Sequence, residues 1–320
     1  MIGAVVIGRN EGERLIRCLA SVKGVESMVY VDSGSTDGSV DAAREAGADV
    51  VELDLSQPFT AARARNAGFE RLMKIGKLTY VQFVDGDCEM QSDWFEAADS
   101  FLERNPKVAV VFGRVRERFP EVSIYNQLCD EEWNTPIGKS LYCGGIAMFR
   151  ARALEAVGGF RDDLIAGEEP ELCVRLGLKG WEIWRIDAEM TLHDAAMTRI
   201  GQWWTRARRS GHAAAEFAVL HGSRPERHGV RPTVRALGWG LFLPLVIVGA
   251  GVLVTPWAAA LLLLYPLQIL RLALSRAAGE RISWIWAAAM VAGKFAEARG
   301  ALDYYIGRLT KRRSGLIEYK

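Results

Sequence analysis

A run of 35 residues without a charged side chain, Ala236 to Leu270, is the strongest constraint that this sequence places on its fold. A single helix of that length would extend about 52 Å, well beyond a hydrocarbon core of roughly 30 Å. Thr255-Pro256 interrupts the run, because a proline inside a helix removes a backbone hydrogen bond. The run therefore predicts a transmembrane helical hairpin, with helices at about 237–254 and 257–274. A hairpin buried in a soluble core is the alternative, which two consecutive apolar segments disfavour.

Arginines flank the hairpin on both sides, and basic residues beside membrane spans are typical of cytoplasmic ends. They are Arg224, Arg227, Arg231 and Arg235 before it, and Arg271, Arg276 and Arg281 after it. We therefore expect residues 221–320 to be a membrane-associated region with both flanks in the cytoplasm. Residues 282–293 are uncharged but too short to span a bilayer comfortably, so they predict an interfacial or re-entrant helix.

Composition excludes several classes of protein. The net charge of +1 gives no global field that would attract nucleic acid, so we expect no nucleic-acid partner. The five cysteines are scattered and form no Cys-x-x-Cys pair, which indicates a reducing compartment and no disulfide framework. The chain enters an apolar strand at Ile2 without a basic leader, and we expect no signal peptide.

Apolar strands alternate with amphipathic helices over the first 90 residues. Segments 2–7, 28–31, 50–53 and 80–84 have the residues of buried strands, and helical spacing follows each of the first three. This alternation predicts an α/β fold with a doubly wound, Rossmann-like, mostly parallel sheet.

Carboxylates follow the ends of two of these strands. Asp32 ends the second strand, and Asp85 and Asp87 follow the fourth, separated by a glycine. Ligands of such sheets bind beyond the carboxyl ends of the strands, and hard oxygen ligands suit Mg²⁺ or Mn²⁺. The alternative for Asp85-Gly86-Asp87 alone is a simple turn, since Asp-Gly is a strong turn signal.

Four short motifs in order carry a resemblance to a known family. They are Val6-Ile7-Gly8-Arg9-Asn10-Glu11, Val31-Asp32-Ser33-Gly34-Ser35-Thr36-Asp37-Gly38, Ala64-Arg65-Asn66-Ala67-Gly68 and Asp85-Gly86-Asp87. In this order they resemble the family 2 glycosyltransferases of GT-A fold. The resemblance continues through Gly144-Gly145 and Gly158-Gly159-Phe160 to the segment Glu168–Arg175. It covers roughly residues 2–215 and implies a GT-A domain at 1–220.

The family moves a sugar from a nucleotide-sugar donor to an acceptor hydroxyl, with a divalent metal and usually with inversion. The resemblance implies that Asp32 contacts the nucleoside. Ser33 stands where the family often has a second acid, so the identity of the nucleobase in the donor is left open. Asp85 would face the ribose and metal, and Asp87 would bind the metal directly. His193 would be a further metal ligand or, alternatively, a structural histidine. The full donor-binding set implied is Asn10, Glu11, Asp32, Arg65, Asn66, Asp85 and Arg206.

The assignments of Arg65, Asn66 and Arg206 depend on how well their segments match the family motifs. Arg65 and Asn66 match an Arg-Asn pair beside the nucleotide, whereas the general expectation for an arginine is a surface charge. Arg206 lies in Gln202-Trp203-Trp204-Thr205-Arg206, which resembles a family region imperfectly. It would hold the leaving diphosphate, or else belong to an amphipathic interface helix.

The acceptor side is implied at Gly144 and Gly145 and at the acidic pair Glu168 and Glu169. The family pattern makes Glu169 the catalytic base, with Glu168 supporting it. The alternative is that two acids in a first helical turn only complement the helix dipole. Pro170 predicts extended backbone at Glu169, just ahead of the helix.

Charge alternates along Arg114-Val-Arg116-Glu-Arg118, which follows the apolar segment 108–112. Such a pattern is typical of a strand with one solvated face. We expect it at an exposed edge of the sheet, with contact between these arginines and an anionic acceptor as the alternative.

Together these features predict a metal-dependent, inverting glycosyltransferase with Mn²⁺ or Mg²⁺, anchored in the cytoplasmic (inner) membrane and facing the cytoplasm. The expected acceptor is a lipid-linked saccharide in exopolysaccharide or cell-envelope synthesis, with other polysaccharide-assembly proteins as partners. A nucleotidyltransferase is an alternative, but no Gly-rich phosphate loop with lysine is present. A catalytically silent nucleotide-binding membrane scaffold is another, which the intact Asp85, Asp87 and Glu169 disfavour.

Overall fold

A computed structural model of the chain describes residues 1–276 and 279–311. The described chain forms two compact units, Met1–Ala196 and a second that begins at Met197. The division falls earlier than the domain boundary expected after residue 220. It does so because the helix Ile200–His221 packs against the C-terminal helix of the second unit.

One sheet organises the first unit. Within the described residues its strands are β1 Ile2–Gly8, β2 Ser27–Asp32, β3 Asp49–Glu52, β4 Tyr80–Asp85, β5 Cys88–Met90, β6 Val108–Glu117, β7 Gly138–Ser140, β8 Ala147–Arg150 and β9 Glu182–His193. The order across the sheet is β3-β2-β1-β4-β8-β6-β9-β5, and β7 pairs with β9.

Helices cover the sheet. They are α1 Glu13–Ser21, α2 Ser39–Glu45, α3 Ala61–Ile75, α4 Trp94–Arg104, α5 Ile124–Trp133, α6 Ala151–Ala156 and α7 Glu168–Leu178, with a short 3-10 turn at Pro120–Val122. The Thr60 side chain caps α3 by accepting a hydrogen bond from the backbone N–H of Arg63. Gly68 lets this helix pack directly on the sheet, since a Cβ there would lie 2.3 Å from Val5. The helix α3, which carries Arg65, is thereby fixed on the apolar core. The helix α2, which follows the Asp32 loop, also contributes a buried residue, Ala43, to that core.

The first half of the sheet is parallel, as the alternation of strands and helices predicts. β1 lies between β2 and β4, with Gly8 opposite Asp32 and Ile7 opposite Asp85. The two carboxylates therefore lie at the same edge, on either side of the end of β1. The α/β fold with its doubly wound sheet is confirmed.

The second half of the sheet is mixed. β8 runs antiparallel between β4 and β6, and β6 pairs in parallel with β9. β9 is longer than the segment 181–187 that has a strand pattern, and it continues to His193. Its last residues pair with β5, so that Cys88 lies opposite His193. The long strand thereby brings His193 to the carboxylates after β4.

The expectation of an exposed edge strand at 114–118 is wrong. β6 lies inside the sheet, between β8 and β9, and Arg114 is buried. An ion pair of 2.9 Å with Asp130 of α5 neutralises Arg114. Arg116 pairs with Glu189 of β9, and Arg118 pairs with Glu89 of β5. Charged residues occupy an interior strand here because carboxylates distant in sequence compensate them.

The second unit is helical in its described part. Its helices are α8 Ile200–His221, α9 Val230–Leu237, α10 Leu243–Leu253, α11 Leu264–Leu274 and α12 Arg281–Leu309, with a π-helical segment Gly238–Phe242 and a 3-10 segment Pro256–Leu263. Two continuous stretches, Val230–Leu253 and Pro256–Leu274, are long and apolar enough to cross a membrane, and each contains an 18-residue window of high mean hydropathy, 2.1 in the first and 1.7 in the second. The interruption falls at Thr255-Pro256, as expected. The first stretch begins at Val230 rather than near 237.

The C-terminal helix is longer than the uncharged segment 282–293. α12 extends to Leu309 and packs along α8, where Gly211 and Gly300 allow close approach of the two backbones. Arg208 of α8 donates to Asp303 of α12 at 2.6 Å. The charged second half of α12 is therefore held by packing and ion pairing, and the interfacial role of 282–293 stays a prediction.

Candidate active site

The loop after β2 is shaped by the Asp32 carboxylate. Asp32 is buried, and its Oδ2 accepts hydrogen bonds from the backbone N–H groups of Gly34 and Ser35, both at 2.8 Å. Its Oδ1 accepts from the Tyr30 hydroxyl at 3.0 Å. The carboxylate thus stabilises a turn at the open edge of the sheet. Its contact with a nucleoside stays a prediction.

The loop after β1 is tied to the same turn. The Asn10 backbone N–H donates to Ser35 Oγ at 2.9 Å, and Asn10 Oδ1 accepts from the backbone N–H of Thr36 at 2.8 Å. Asn10 adopts a positive φ of 55°, which asparagine tolerates better than most residues. Glu11 forms an ion pair with Arg14 of α1. The loops after β1 and β2 therefore form one hydrogen-bonded rim.

Arg65 lies at the centre of the site. Its guanidinium is buried, with Nη1 donating to Glu168 Oε1 at 2.7 Å and Nη2 donating to Asp85 Oδ1 at 2.9 Å. Gly145 leaves room for it, because a Cβ at that position would lie 2.6 Å from Nη2. The alternative of a surface charge is therefore wrong for Arg65. One side chain joins the end of β4 to the start of α7.

The charge of Arg65 is secured by its partners. Burial disfavours the charged guanidinium, but the neighbouring Asp85 and Glu168 carboxylates outweigh burial and raise the pKa of Arg65 above its ordinary value. The Glu168 side chain is 11% exposed, whereas that of Asp85 is 34% exposed. Asp85 thus faces the open side of the site, and Glu168 faces the interior.

Asn66 holds a loop beside the site. Its Nδ2 donates to the Phe160 carbonyl at 2.8 Å and to Asp162 Oδ1 at 2.6 Å, and its Oδ1 accepts from the Phe160 N–H at 2.9 Å. Gly159 has a φ of +71°, and a Cβ there would lie 2.6 Å from Asn66 Oδ1. The side chain is engaged with protein, and its nucleotide contact stays a prediction.

Asp87 and His193 form a second group. His193 Nε2 lies 3.3 Å from Asp87 Oδ2, and the Trp133 ring packs against the imidazole in a T-shaped pair, with 4.6 Å between ring centroids. The Cys88 thiol donates to Asp87 Oδ1 at 3.5 Å. A carboxylate and an imidazole nitrogen this close are a donor set that suits a divalent transition cation such as Mn²⁺. The residues present therefore fit the implied metal.

Glu117 supports this group from β6, and sequence reasoning missed it. Glu117 lies opposite His193 in the β6–β9 register, and its Oε2 accepts from the backbone N–H of Ala195 at 3.1 Å. Its Oε1 accepts from the N–H of Phe119 and from Asn126 Nδ2, each at 3.1 Å. Burial raises the pKa of the Glu117 carboxyl. The alternating arginines around it conceal it, because they give the segment the appearance of a surface strand.

The acidic pair at the start of α7 is divided between two environments. Glu168 pairs with Arg65, whereas Glu169 Oε1 accepts from the Cys143 N–H at 2.6 Å and lies 3.1 Å from Cys143 Sγ and 2.9 Å from Cys173 Sγ. Burial raises the pKa of the Glu169 carboxyl. The structure brings Glu169 and its two cysteines together. The i,i+4 spacing on α7 accounts for Cys173, whereas no sequence spacing indicated Cys143.

The expectation of extended backbone at Glu169 is wrong. Glu169 is the second residue of α7, and the left-handed Gly167, with φ of 81°, precedes the helix. Pro170 remains within the first turn, where a missing N–H costs no intrahelical hydrogen bond. Helical backbone therefore directs Glu168 and Glu169 to different neighbours.

Gly144 and Gly145 lie between β7 and β8. Gly144 has a φ of +78°, and the Cys143 N–H just before it donates to Glu169. This backbone links the glycine pair to the acidic pair, and the acceptor-side role of Gly144 and Gly145 stays a prediction. Arg206 lies on α8 in the second unit, and its contact with diphosphate stays a prediction.

Comparisons with known proteins agree on a class. The model described as Glycosyl transferase family 2 matches residues 4–158. The succinoglycan biosynthesis protein ExoA of Rhizobium meliloti (strain 1021) is 26% identical over 247 residues, which cover 73% of this chain and 74% of that protein. The pre-mycofactocin glycosyltransferase of Mycobacterium tuberculosis (strain ATCC 25618 / H37Rv) is 26% identical over 231 residues. This match covers 69% of this chain and 48% of that protein, so the chain spans about half of that relative.

Solved structures share the fold. Mannosyltransferase PcManGT from Pyrobaculum calidifontis, in complex with GDP-Man and Mn2+, has a TM-score of 0.60 at 22% identity, covering 94% of this chain and 86% of that chain. S. aureus TarS 1-349 has a TM-score of 0.51 at 14% identity, covering 98% and 92%. The first unit is thus a GT-A fold, and residues 4–158 are a family 2 glycosyltransferase domain. The chain is a glycosyltransferase.

Replacing Arg65 by methionine should destabilise the first unit. Arg65→Met leaves Glu168 buried without its cation, and losing one partner of a buried pair costs about 3 kcal/mol or more. Arg71→Met is the matched control on the same helix, because Arg71 is 46% exposed and a solvent-screened surface pair such as that with Asp49 contributes little to stability. Urea unfolding followed by circular dichroism measures both. Equal losses for the two variants would contradict the central place given to Arg65.

Proposed function

We propose that this chain transfers a sugar from a nucleotide-sugar donor to an acceptor hydroxyl, with a divalent cation and with inversion at the anomeric carbon. The observation that carries the proposal is the double ion pair of Arg65, which joins Asp85 on the donor side to Glu168 beside the base. The donor is supported by the solved mannosyltransferase in complex with GDP-Man and Mn2+.

Asp87 and His193 would hold the cation, and Asp85 would face the donor beside them. When bound, the cation neutralises the charge of the departing nucleoside diphosphate. Mn²⁺ suits this set better than Mg²⁺, because Mg²⁺ prefers oxygen ligands alone. The rim formed by Asn10, Glu11 and Asp32 would receive the nucleoside. The positively charged guanidinium of Arg206 would bind the diphosphate.

Glu169 would be the general base. Its raised pKa brings the carboxylate closer to the working pH, which increases its ability to accept a proton from an acceptor hydroxyl. In a single displacement the bond from the acceptor oxygen to the anomeric carbon forms as the bond to the diphosphate breaks. The acceptor proton passes to Glu169, and the nucleoside diphosphate leaves. The transition state has oxocarbenium character, as at other glycosidic centres.

A lipid-linked saccharide in exopolysaccharide or cell-envelope synthesis is the proposed acceptor, with other polysaccharide-assembly proteins as partners. ExoA, named for succinoglycan biosynthesis, supports the pathway class, and the two apolar helical stretches support a membrane location for the acceptor. The solved mannosyltransferase in complex with GDP-Man makes GDP-mannose the first donor to test, followed by the other nucleotide-sugars.

Removing Asp87 should abolish cation-dependent donor binding. Asp87→Ala deletes the carboxylate that lies 3.3 Å from His193, and calorimetric titration with nucleotide-sugars should show no gain in affinity from Mn²⁺. Asp41→Ala, on the exposed face of α2, is the control and should behave as the unmodified chain. Full transferase activity in EDTA would contradict the metal role.

Replacing Glu169 by glutamine should lower turnover by about 10²–10⁴-fold, the usual contribution of a general base. Donor affinity should stay near normal, because the amide is almost isosteric. Glu168→Gln keeps a hydrogen-bond acceptor for Arg65 and should cost less in turnover. Turnover and donor affinity are measured for both variants. An inactive Glu168→Gln beside an active Glu169→Gln would assign the base to Glu168.

The proposed location is the cytoplasmic (inner) membrane, with the catalytic unit facing the cytoplasm. Arginines on both sides of the apolar stretches support this orientation. A reporter fused after Lys320, which lies outside the described residues, should be cytoplasmic. An extracytoplasmic reporter would mean a third span near 282–293 and would overturn the two-span topology.

A further inference from the structure

Two cysteine thiols surround the carboxylate of Glu169. Cys173 Sγ lies 2.9 Å from Oε1 and Cys143 Sγ lies 3.1 Å from it, while the two sulfurs are 3.7 Å apart. All three side chains are buried. Cys173 stands four residues after Glu169 on α7, so the helix itself places its thiol on the same face as the carboxylate.

The hydrogen bonds fall on one oxygen. The Cys143 N–H and the two thiols approach Oε1, and none of the described residues donates to Oε2. Cys143 Sγ also lies 3.3 Å from the Gly144 carbonyl, so its single proton has a second acceptor. The Cys173 thiol therefore has fewer competing acceptors than the Cys143 thiol and is the main thiol donor to Glu169 Oε1. The arrangement fixes Oε1 and leaves Oε2 for a substrate proton.

No cation holds Glu169, since none of the ion pairs between described residues includes it. The charged or titratable groups facing it are Glu168, Tyr142 and the two thiols. Burial disfavours a negative charge on Glu169, and the neighbouring Glu168 carboxylate repels that charge further. Burial raises the pKa of Cys173 to about 12 and that of Cys143 well above its ordinary value, so both thiols keep their protons as neutral donors at neutral pH.

We propose that Cys173, assisted by Cys143, is a positioning residue that holds Glu169 by Oε1, stabilises its ionised form in a buried place and presents Oε2 to the acceptor hydroxyl. The proposal rests on Glu169 being the base of the proposed function. Neutral thiols replace the usual cation here, which gives the carboxylate a donor without lowering its basicity as strongly as an arginine would.

The sign of the effect follows from the donor. A hydrogen bond to the charged form favours ionisation, so removing the Cys173 thiol should raise the pKa of Glu169 beyond the rise that burial causes. A single thiol is a weak donor, and the expected shift is about one pH unit or less. A base must be ionised to act. The acidic limb of the rate profile should therefore move to higher pH by the same amount.

The experiment compares Cys173→Ala and Cys173→Ser in the full chain labelled with ¹³C at glutamate carboxyls. The Glu169 signal is assigned by its loss in Glu169→Gln and is titrated by NMR. Cys129→Ala, which removes a buried cysteine on α5, is the matched control. Cys143→Ala tests the second thiol, and thermal unfolding verifies the fold of each variant.

We expect the Glu169 titration to move to higher pH in Cys173→Ala, to return towards the original value in Cys173→Ser and to stay unchanged in Cys129→Ala. Cys143→Ala should shift it less than Cys173→Ala. A titration that Cys173→Ala leaves in place overturns the proposal, even if Glu169→Gln is inactive and the base assignment stands. An active Glu169→Gln overturns the base assignment and this proposal with it.

Discussion

A buried guanidinium governs the arrangement of the catalytic unit. Arg65 has almost no contact with solvent, and a cation in such a place must be neutralised by carboxylates in fixed positions. It binds Asp85 at the end of β4 and Glu168 at the start of α7, which are distant in sequence from each other and from α3. The glycine at 145 keeps the space that the guanidinium needs. Through this one side chain, the start of α7 and therefore Glu169 are held at the same edge of the sheet as the Asp32 and Asp85 carboxylates.

The sheet supplies the other half of the arrangement. Parallel pairing of β1 with β2 and β4 places Asp32 and Asp85 at one edge, and the long β9 returns to that edge to place His193 against Asp87. Glu117 steadies the chain just after His193 by accepting the Ala195 N–H. The proposed nucleoside rim is therefore held by contacts within and between neighbouring loops. The proposed metal ligands and the proposed base are held by contacts between residues far apart in the sequence.

Sequence patterns predicted what local physics decides. The parallel strands β1 to β4 have apolar runs ended by turn residues, and the interruption at Thr255-Pro256 has a simple cause in proline geometry. The contacts between residues far apart in the sequence were not predicted. Arg114 and Glu117 lie in a charged, alternating segment that has the pattern of a solvated strand. They are buried because partners from other elements, Asp130 and the Ala195 N–H, compensate them. Burial of a charge depends on a partner, and single-sequence periodicity does not identify partners.

The base region shows the same limit at the scale of one residue. The acidic pair was found through its motif, but its local geometry was predicted incorrectly because helical backbone prevailed over the extended preference of a residue before proline. Cys173 stands four residues after Glu169, a helical spacing that could have joined the two, but Cys143 lies 26 residues before Glu169 and no pattern in the sequence indicated it. Likewise, the length of α12 exceeds its uncharged segment because its charged half packs on α8.

The central claim is that the carboxylate and imidazole brought together by β5 and β9 hold the cation of the transfer reaction. An anomalous difference map at the manganese edge, from crystals of the chain grown with Mn²⁺ and GDP-mannose, tests this most directly. The account predicts one manganese peak bonded to Asp87 and His193 and to the donor diphosphate. A peak at the Cys143, Glu169 and Cys173 cluster instead, or donor bound with no manganese beside Asp87, would contradict it.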